Sequence, residues 1–341
     1  MTATVVLGAG ASLPPRVVGN EELSSSLDTS DEWIRTRTGI RTRRWVDHGV
    51  ATSDLAVDAG ARALRSAGLT EVDAVIVATT TPDRLCPATA PEVAARLGLI
   101  GVPAHDVAAV CTGFLYGLAN AVGLIASRAA RTVLLIAAET FSTIIDPADR
   151  GTAVIFGDGA GAVVLGAGEP GDLGEVGPCV LGSDGSQADL IEIPAGGSRQ
   201  RSTGQPAAAA DHYFRMRGRE VFRLAVERMS SASDEAVRRL GIGYGDIDLF
   251  VPHQANQRIS GAVAKRLELD QDKVLSNVET VGNTAAASIP ILLAEASADG
   301  RLKAGQRLLL VAFGGGLTWG AATMLWPEIT AETGFLAPAE D

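Results

Sequence analysis

Three side chains in this sequence have the chemistry of a covalent catalytic site: a thiol, an imidazole and a carboxamide. Cys111 lies in DVAAVCTGFLYGLANAVGLIASRA, between an apolar run and a long stretch of small and apolar residues. That context predicts a thiol delivered by a strand to the first turn of a buried helix. A helix N-terminus leaves N–H groups unpaired and carries about +0.5 charge, which favours thiolate, the nucleophilic form. Free cysteine is also a common small core residue, so position alone fits both readings. His253 lies in VPHQANQR, just past an apolar run, and Asn283 lies in VETVGNTAAASIP, after a glycine and ahead of a helix-like segment. Each sits where a strand hands over to a helix or at a turn, which is where sites collect in α/β proteins. Two chemistries fit the set. In a hydrolytic triad, Asn orients His and His takes the Cys proton. In a condensing site, His and Asn both donate hydrogen bonds to a thioester carbonyl.

The elements that must position these residues alternate along the chain. Strand-like runs cover 73–80, 131–138, 247–251 and 307–313. Helix-like runs cover 87–98, 219–240, 254–267 and 286–298. Residues 152–168 read as strand, glycine-rich turn, strand, and GGGLTWGAATMLW repeats that pattern near the end. The pattern suggests a duplication of about 170 residues and an α/β sandwich of two related sheets, mostly parallel with antiparallel additions. The expected division is 1–170 for the half with Cys111, 171–330 for the half with His253 and Asn283, and 331–341 as a tail. Residues 195–211, rich in Gly, Ser, Pro and Ala, read as a surface loop.

Composition narrows the function. The chain has 341 residues, a net charge of −11 and a pI near 4.9, which argues against nucleic acid as a partner. No apolar run reaches the length of a membrane span, and the N-terminus lacks the basic region of a signal peptide. Three cysteines, Cys86, Cys111 and Cys179, have spacings that fit neither disulfides nor a zinc site, so no metal is expected. Reduced thiols fit a cytoplasmic enzyme. GDGAGA and GAGAS do not complete a dinucleotide fingerprint ahead of a helix, so no nicotinamide site is expected. His48, His212 and Cys179 have no nameable partners and default to structural or surface roles. Two basic groups stand out in an acidic protein: Arg35, Arg37, Arg41, Arg43 and Arg44, then Arg258, Lys265 and Arg266. They are solvated faces or local sites for anionic ligands.

Several long stretches in order carry a family resemblance: DTSDEWIRTRTGIRTRR (28–44), CTGFLYGL (111–118), DPADRGTAVIFGDGAGA (146–162), PHQANQRI (252–259), GNTAAASIP (282–290) and AFGGGLTWGA (312–321). The chain resembles the β-ketoacyl-acyl-carrier-protein synthases III, condensing enzymes of the thiolase superfamily. The order Cys, His, Asn also loosely resembles papain-like proteases, but CTGF is unlike their cysteine signature.

The resemblance implies a five-layer αβαβα thiolase-like sandwich, duplicated and homodimeric. It implies that Cys111 takes an acyl group from acyl-CoA. Malonyl-acyl carrier protein then loses carbon dioxide, and its carbanion attacks the acyl thioester. His253 and Asn283 would stabilise the malonyl oxyanion. The N–H groups of Cys111 and of the glycine turn, at Gly315, would serve the acyl-Cys step. Coenzyme A is then a substrate and no cofactor is implied. Its contacts carry over to Thr29, Trp33, Arg37 and Arg150 around the nucleotide, with Trp33 and Arg150 flanking the adenine. Gly218, Phe222 and Asn256 would line the pantetheine channel. Arg258, Lys265 and Arg266 would dock the acidic carrier protein. Cys86 stands where many members place a bulky aromatic at the end of the acyl pocket, across the dimer; the smaller residue predicts branched or longer starters. Two residues depart from the family pattern, Thr112 and Ala285, and neither removes a catalytic group. The expected role is priming of fatty-acid or type II polyketide synthesis. The alternative is an acyltransferase of the same fold that passes the acyl group to an alcohol or amine, which would not need Asn283.

Overall fold

Apolar runs without polar alternation form strands buried on both faces. In the computed structural model, which describes residues 2–337, the first half supplies β1 (Ala3–Leu13), β2 (Ala74–Ala78), β3 (Ala104–Val107), β4 (Thr132–Glu139) and β5 (Gly159–Gly168). The second supplies β6 (Val180–Ser183), β7 (Leu249–Pro252), β8 (Arg307–Gly314) and β9 (Thr318–Leu325), and β10 (Glu332–Phe335) follows. The first sheet has the order β10-β1-β5-β4-β2-β3 and the second β6-β9-β8-β7. In the first, β1/β5 and β5/β4 are antiparallel, and β4/β2 and β2/β3 parallel. The second repeats those directions: β6/β9 and β9/β8 antiparallel, β8/β7 parallel, then a parallel bridge from Phe250 to Val274 where a fifth strand would pair. Matching order and direction are the topological mark of a duplicated unit.

Six longer helices complete the layers: α1 (Asp31–Thr38), α2 (Thr52–Ala67), α3 (Gly113–Ala126), α4 (Gly218–Leu240), α5 (Gln257–Arg266) and α6 (Ser288–Ala298). α2 covers the outer face of the first sheet, α4 that of the second with α5 beside it, and α3 and α6 lie between the sheets. This is the expected five-layer sandwich. α3 and α6 are apolar on most faces because both sheets bury them, whereas α4 is amphipathic. α6 rides directly on β5: a Cβ on Gly161 would lie 2.5 Å from the Ile291 backbone nitrogen.

Several boundaries differ from the sequence reading for tertiary reasons. Residues 151–155 are turns rather than a strand, and Phe156 makes a single bridge to Asn283. The helix expected over 87–98 is shorter, Ala90–Arg96, because the Asp106 carboxylate on β3 accepts the Thr89 and Ala90 N–H groups and sets its start. α5 begins at Gln257 because Asn256 caps it, its side chain accepting the Ile259 N–H at 3.0 Å. The loop over 195–211 holds one helical turn, Ser198–Arg201, and runs into a 3-10 turn, Ala209–His212. The segment read as a tail begins with β10, parallel to β1 and held by an Arg65–Glu332 ion pair of 2.8 Å. Its residues 338–341 lie outside the described residues. No helix among the described residues is long and apolar enough to cross a membrane.

Candidate active site

Cys111 is not on α3 but in a 3-10 turn, Val110–Thr112, directly before it. Val110 holds φ at 48°, a region that a β-branched residue rarely occupies. The turn is stitched to the β8–β9 hairpin. The Thr112 hydroxyl donates to the Ala109 carbonyl at 2.6 Å and lies 2.7 Å from the Thr318 hydroxyl, which donates to the Gly315 carbonyl. Thr112, a departure from the family pattern, thus ties the two halves together at the nucleophile. Gly314 abuts the same turn, and a Cβ there would lie 2.8 Å from the Cys111 nitrogen and 3.1 Å from its Cβ. Of the glycine run, Gly314 therefore makes the close approach, while Gly315 packs between Ile191 and Val110.

The electrostatics of the thiol differ from the expectation of a dipole-activated thiolate. Burial pushes Cys111 up to about 12, with the Glu139 charge adding to the shift. Glu139 ends β4 fully buried, its carboxylate accepting the Thr80 N–H and the Thr81 hydroxyl. Burial pushes Glu139 itself up to about 8, so near neutral pH it is largely protonated and desolvation remains the main cause for the thiol. The Cys111 backbone N–H opposes the rise, and the side chain keeps partial exposure on the cavity wall.

His253 follows β7 and is 2 % exposed. Its N–H donates to the Val311 carbonyl at 2.7 Å, and its Nδ1 lies 2.6 Å from Ser288 Oγ. Burial lowers the imidazole to about 3, so it is neutral. Asn283 is 5 % exposed, and its backbone pairs with Ile155 and Gly157. Its Oδ1 accepts the Ala285 N–H at 2.9 Å, and no partner of its Nδ2 appears among the described residues. The backbone donor thereby identifies the oxygen end and leaves the NH2 end free to donate. Gln254, which the sequence reading passed over, braces the approach to Asn283: its Oε1 accepts from Ser276 Oγ and from the Asn277 and Val278 N–H groups.

One cavity of about 520 Å³ is walled by Cys111, His253, Asn283 and Gly314 together with Trp33, Arg37, Gly218, Phe222, Asn256 and Arg258. Arg219, missed in the sequence, lines it as well. Thr29, Arg150, Gly315, Cys86, Lys265 and Arg266 are outside that wall. Arg150 lies over the Trp33 ring at 5.4 Å and Arg37 over it at 4.8 Å, so a base stacking between Trp33 and Arg150 must part them. The Arg150 guanidinium donates to the Asp28 carbonyl at 2.6 Å and lies 3.3 Å from the Asp28 carboxylate. Thr29 Oγ1 is buried without a partner among the described residues. Arg258 lies over Phe222 at 5.8 Å, and Lys265 and Arg266 follow, exposed, in the last turn of α5. Cys86 is exposed on a loop beyond β2.

Residues 105–185 match the family described as 3-oxoacyl-[acyl-carrier-protein] synthase III, and residues 237–326 match its C-terminal region. A β-ketoacyl-acyl-carrier-protein synthase III of Streptomyces coelicolor is 58% identical over 329 residues, covering 96% of this chain and 98% of the relative. The chain belongs to the β-ketoacyl-acyl-carrier-protein synthase III family. It is therefore a condensing acyltransferase. The solved synthase III of Pseudomonas aeruginosa superposes with a TM-score of 0.89 at 48% identity, covering 96% of this chain and 99% of that one. The priming β-ketosynthase of the R1128 polyketide pathway has a TM-score of 0.89 at 35% identity, covering 95% and 96%. The synthase III fold and the priming role in fatty-acid or polyketide assembly agree with the reading of the motifs.

Proposed function

We propose that this synthase III joins an acyl-CoA starter to malonyl-acyl carrier protein in two steps through Cys111. In the first step Cys111 Sγ attacks the acyl carbonyl. The new C–S bond forms, the bond to CoA breaks, and the Cys111 proton leaves with the CoA sulfur. The N–H of Cys111, with that of Gly315, holds the tetrahedral oxyanion. In the second step the malonyl group loses carbon dioxide. The electron pair of the broken C–C bond becomes an enolate whose oxygen accepts from His253 Nε2–H and Asn283 Nδ2–H. The enolate carbon attacks the acyl-Cys carbonyl, forming the β-keto bond, and Cys111 leaves as thiolate and takes up a proton. The observation that carries this reading is the shared cavity: its wall holds one thiol together with a carboxamide and an imidazole that burial keeps neutral.

Trp33, Arg37 and Arg150 hold the CoA nucleotide, with the unpartnered Thr29 hydroxyl as a further contact. Gly218, Phe222 and Asn256 line the path of the pantetheine. Arg258, Lys265 and Arg266 receive the carrier protein; none of the three is in an ion pair among the described residues. The enzyme works in the cytoplasm as a homodimer. The open edge of β3, together with two exposed apolar side chains, Leu85 and Ile100 at 75% and 77%, supports that assembly. In the dimer Cys86 closes the partner's acyl pocket and admits branched or longer starters.

Intact mass spectrometry with a panel of acyl-CoAs, followed by malonyl-carrier protein, tests the reading. An acyl adduct on Cys111 that converts to β-ketoacyl-carrier product is expected. An adduct that passes only to an alcohol or amine overturns it in favour of simple acyl transfer.

A further inference from the structure

A neutral histidine can serve as a donor at Nε2 only if its single ring proton sits there rather than on Nδ1. The surroundings of Nδ1 decide that. Ser288 Oγ is its neighbour at 2.6 Å, and the same oxygen accepts the Gln254 N–H at 3.3 Å. No third partner of Ser288 Oγ appears among the described residues. A hydroxyl has one proton and two lone pairs. With one lone pair facing the Gln254 N–H, the only acceptor left for its proton is His253 Nδ1. An Nδ1–H would occupy the second lone pair and leave the buried hydroxyl proton with no acceptor among the described residues.

Ser288 opens α6, where serine ordinarily caps the helix through its hydroxyl. Here Ala287 occupies the cap and no side chain caps the helix. The hydroxyl is committed to the imidazole instead. His253, Gln254 and Ser288 are 2 %, 1 % and 2 % exposed, so the three-membered chain is shielded from solvent exchange.

We propose that Ser288 is a positioning residue: its hydroxyl donates to His253 Nδ1 and thereby holds the ring proton on Nε2, where the malonyl oxyanion needs it. The inference rests on the proposed donor role of His253. It has a consequence for the first step. A histidine locked with its proton on Nε2 is not the base for Cys111 on that side, so acylation must proceed by passing the thiol proton to the departing CoA. Ser288 therefore matters to the second step and not the first.

The test compares wild type, Ser288→Ala and His253→Ala in two separate assays: acylation by acyl-CoA, followed by mass, and release of carbon dioxide from malonyl-carrier protein. Nitrogen-15 NMR of histidine-labelled protein reads the tautomer, the His253 signal being assigned by its absence in His253→Ala. Wild type is expected to show an unprotonated Nδ1. Ser288→Ala is expected to show mixed tautomers and a kcat for decarboxylation lowered roughly tenfold, less than the ~10²–10³ of losing the donor outright. Its KM for malonyl-carrier protein and its acylation rate stay as in wild type. A proton on Nδ1 in wild type, or Ser288→Ala with unchanged decarboxylation, overturns the proposal. Parallel loss of acylation and decarboxylation in Ser288→Ala also overturns it, because the serine is then merely structural. If His253→Ala itself keeps full decarboxylation, the donor role of His253 fails rather than the tautomer lock.

Discussion

At its buried end the cavity is walled by neutral groups fixed by backbone hydrogen bonds: His253 and Asn283 are 2 % and 5 % exposed, and both are anchored to neighbouring strands or turns. At its open end stand Trp33, Arg37, Arg219 and Arg258 on helices α1, α4 and α5, with the arginines exposed to solvent. The difference suits the two kinds of binding in the proposed reaction. Charge that develops during reaction is stabilised best by preorganised dipoles in a dry site, where each donor counts for several times its value in water. Phosphates and an acidic protein arrive already charged from solvent, and exposed cations serve them by attraction that salt screens.

Substitutions at the two ends should therefore differ in size and in kind. Cys111→Ala should abolish acyl transfer, a loss on the order of 10⁴-fold or more in kcat/KM, read by adduct mass and product formation. Asn283→Ala should lower decarboxylation by ~10²–10³ with KM for malonyl-carrier protein little changed; a change confined to KM would move Asn283 to the binding end. The thiol itself offers a pH test. Because burial holds Cys111 near 12, the thiolate fraction is small at neutral pH and grows as pH rises toward that value. Its alkylation by iodoacetamide, followed by peptide mass, should climb about tenfold per pH unit from 7 to 10; a plateau in that window would restore a dipole-lowered thiol. Trp33→Ala should raise KM for acyl-CoA about tenfold with kcat preserved, since a stacking contact contributes ~1–2 kcal/mol. The smallest effect belongs to the exposed helix end. Lys265→Glu with Arg266→Glu should raise KM for the carrier protein roughly threefold at low salt, and the difference should vanish at high salt. A salt-independent loss there would mean that the pair shapes the enzyme rather than meeting its partner.

Much of the candidate site was legible because its residues sit in punctuated local contexts. Cys111 precedes an apolar helix, His253 follows an apolar strand, and Asn283 follows a glycine; a strand end or a turn is a local property. The repeated strand, turn and helix pattern likewise led to two sheets with the same order. What stayed hidden depended on segments far apart in the chain. Gly314 rather than Gly315 presses on Cys111, a distinction that the three identical letters of the run do not carry. Ser288 and Gln254 look like ordinary polar residues until folding sets them beside His253 and Asn277. Glu139 falls just past the strand read over 131–138, and only its bonds to Thr80 and Thr81 reveal it as a buried acid near Cys111.

The amino-acid order by itself determined the architecture and pointed to the candidate reacting groups, because hydrophobic period and turn residues act over a few positions at a time. Only the tertiary structure decided their protonation. Burial pushes the Cys111 thiol and the Glu139 carboxyl up and the His253 imidazole down, because two sheets and two central helices pack around them. Desolvation depends on everything packed around a group, and no short stretch of sequence contains that information.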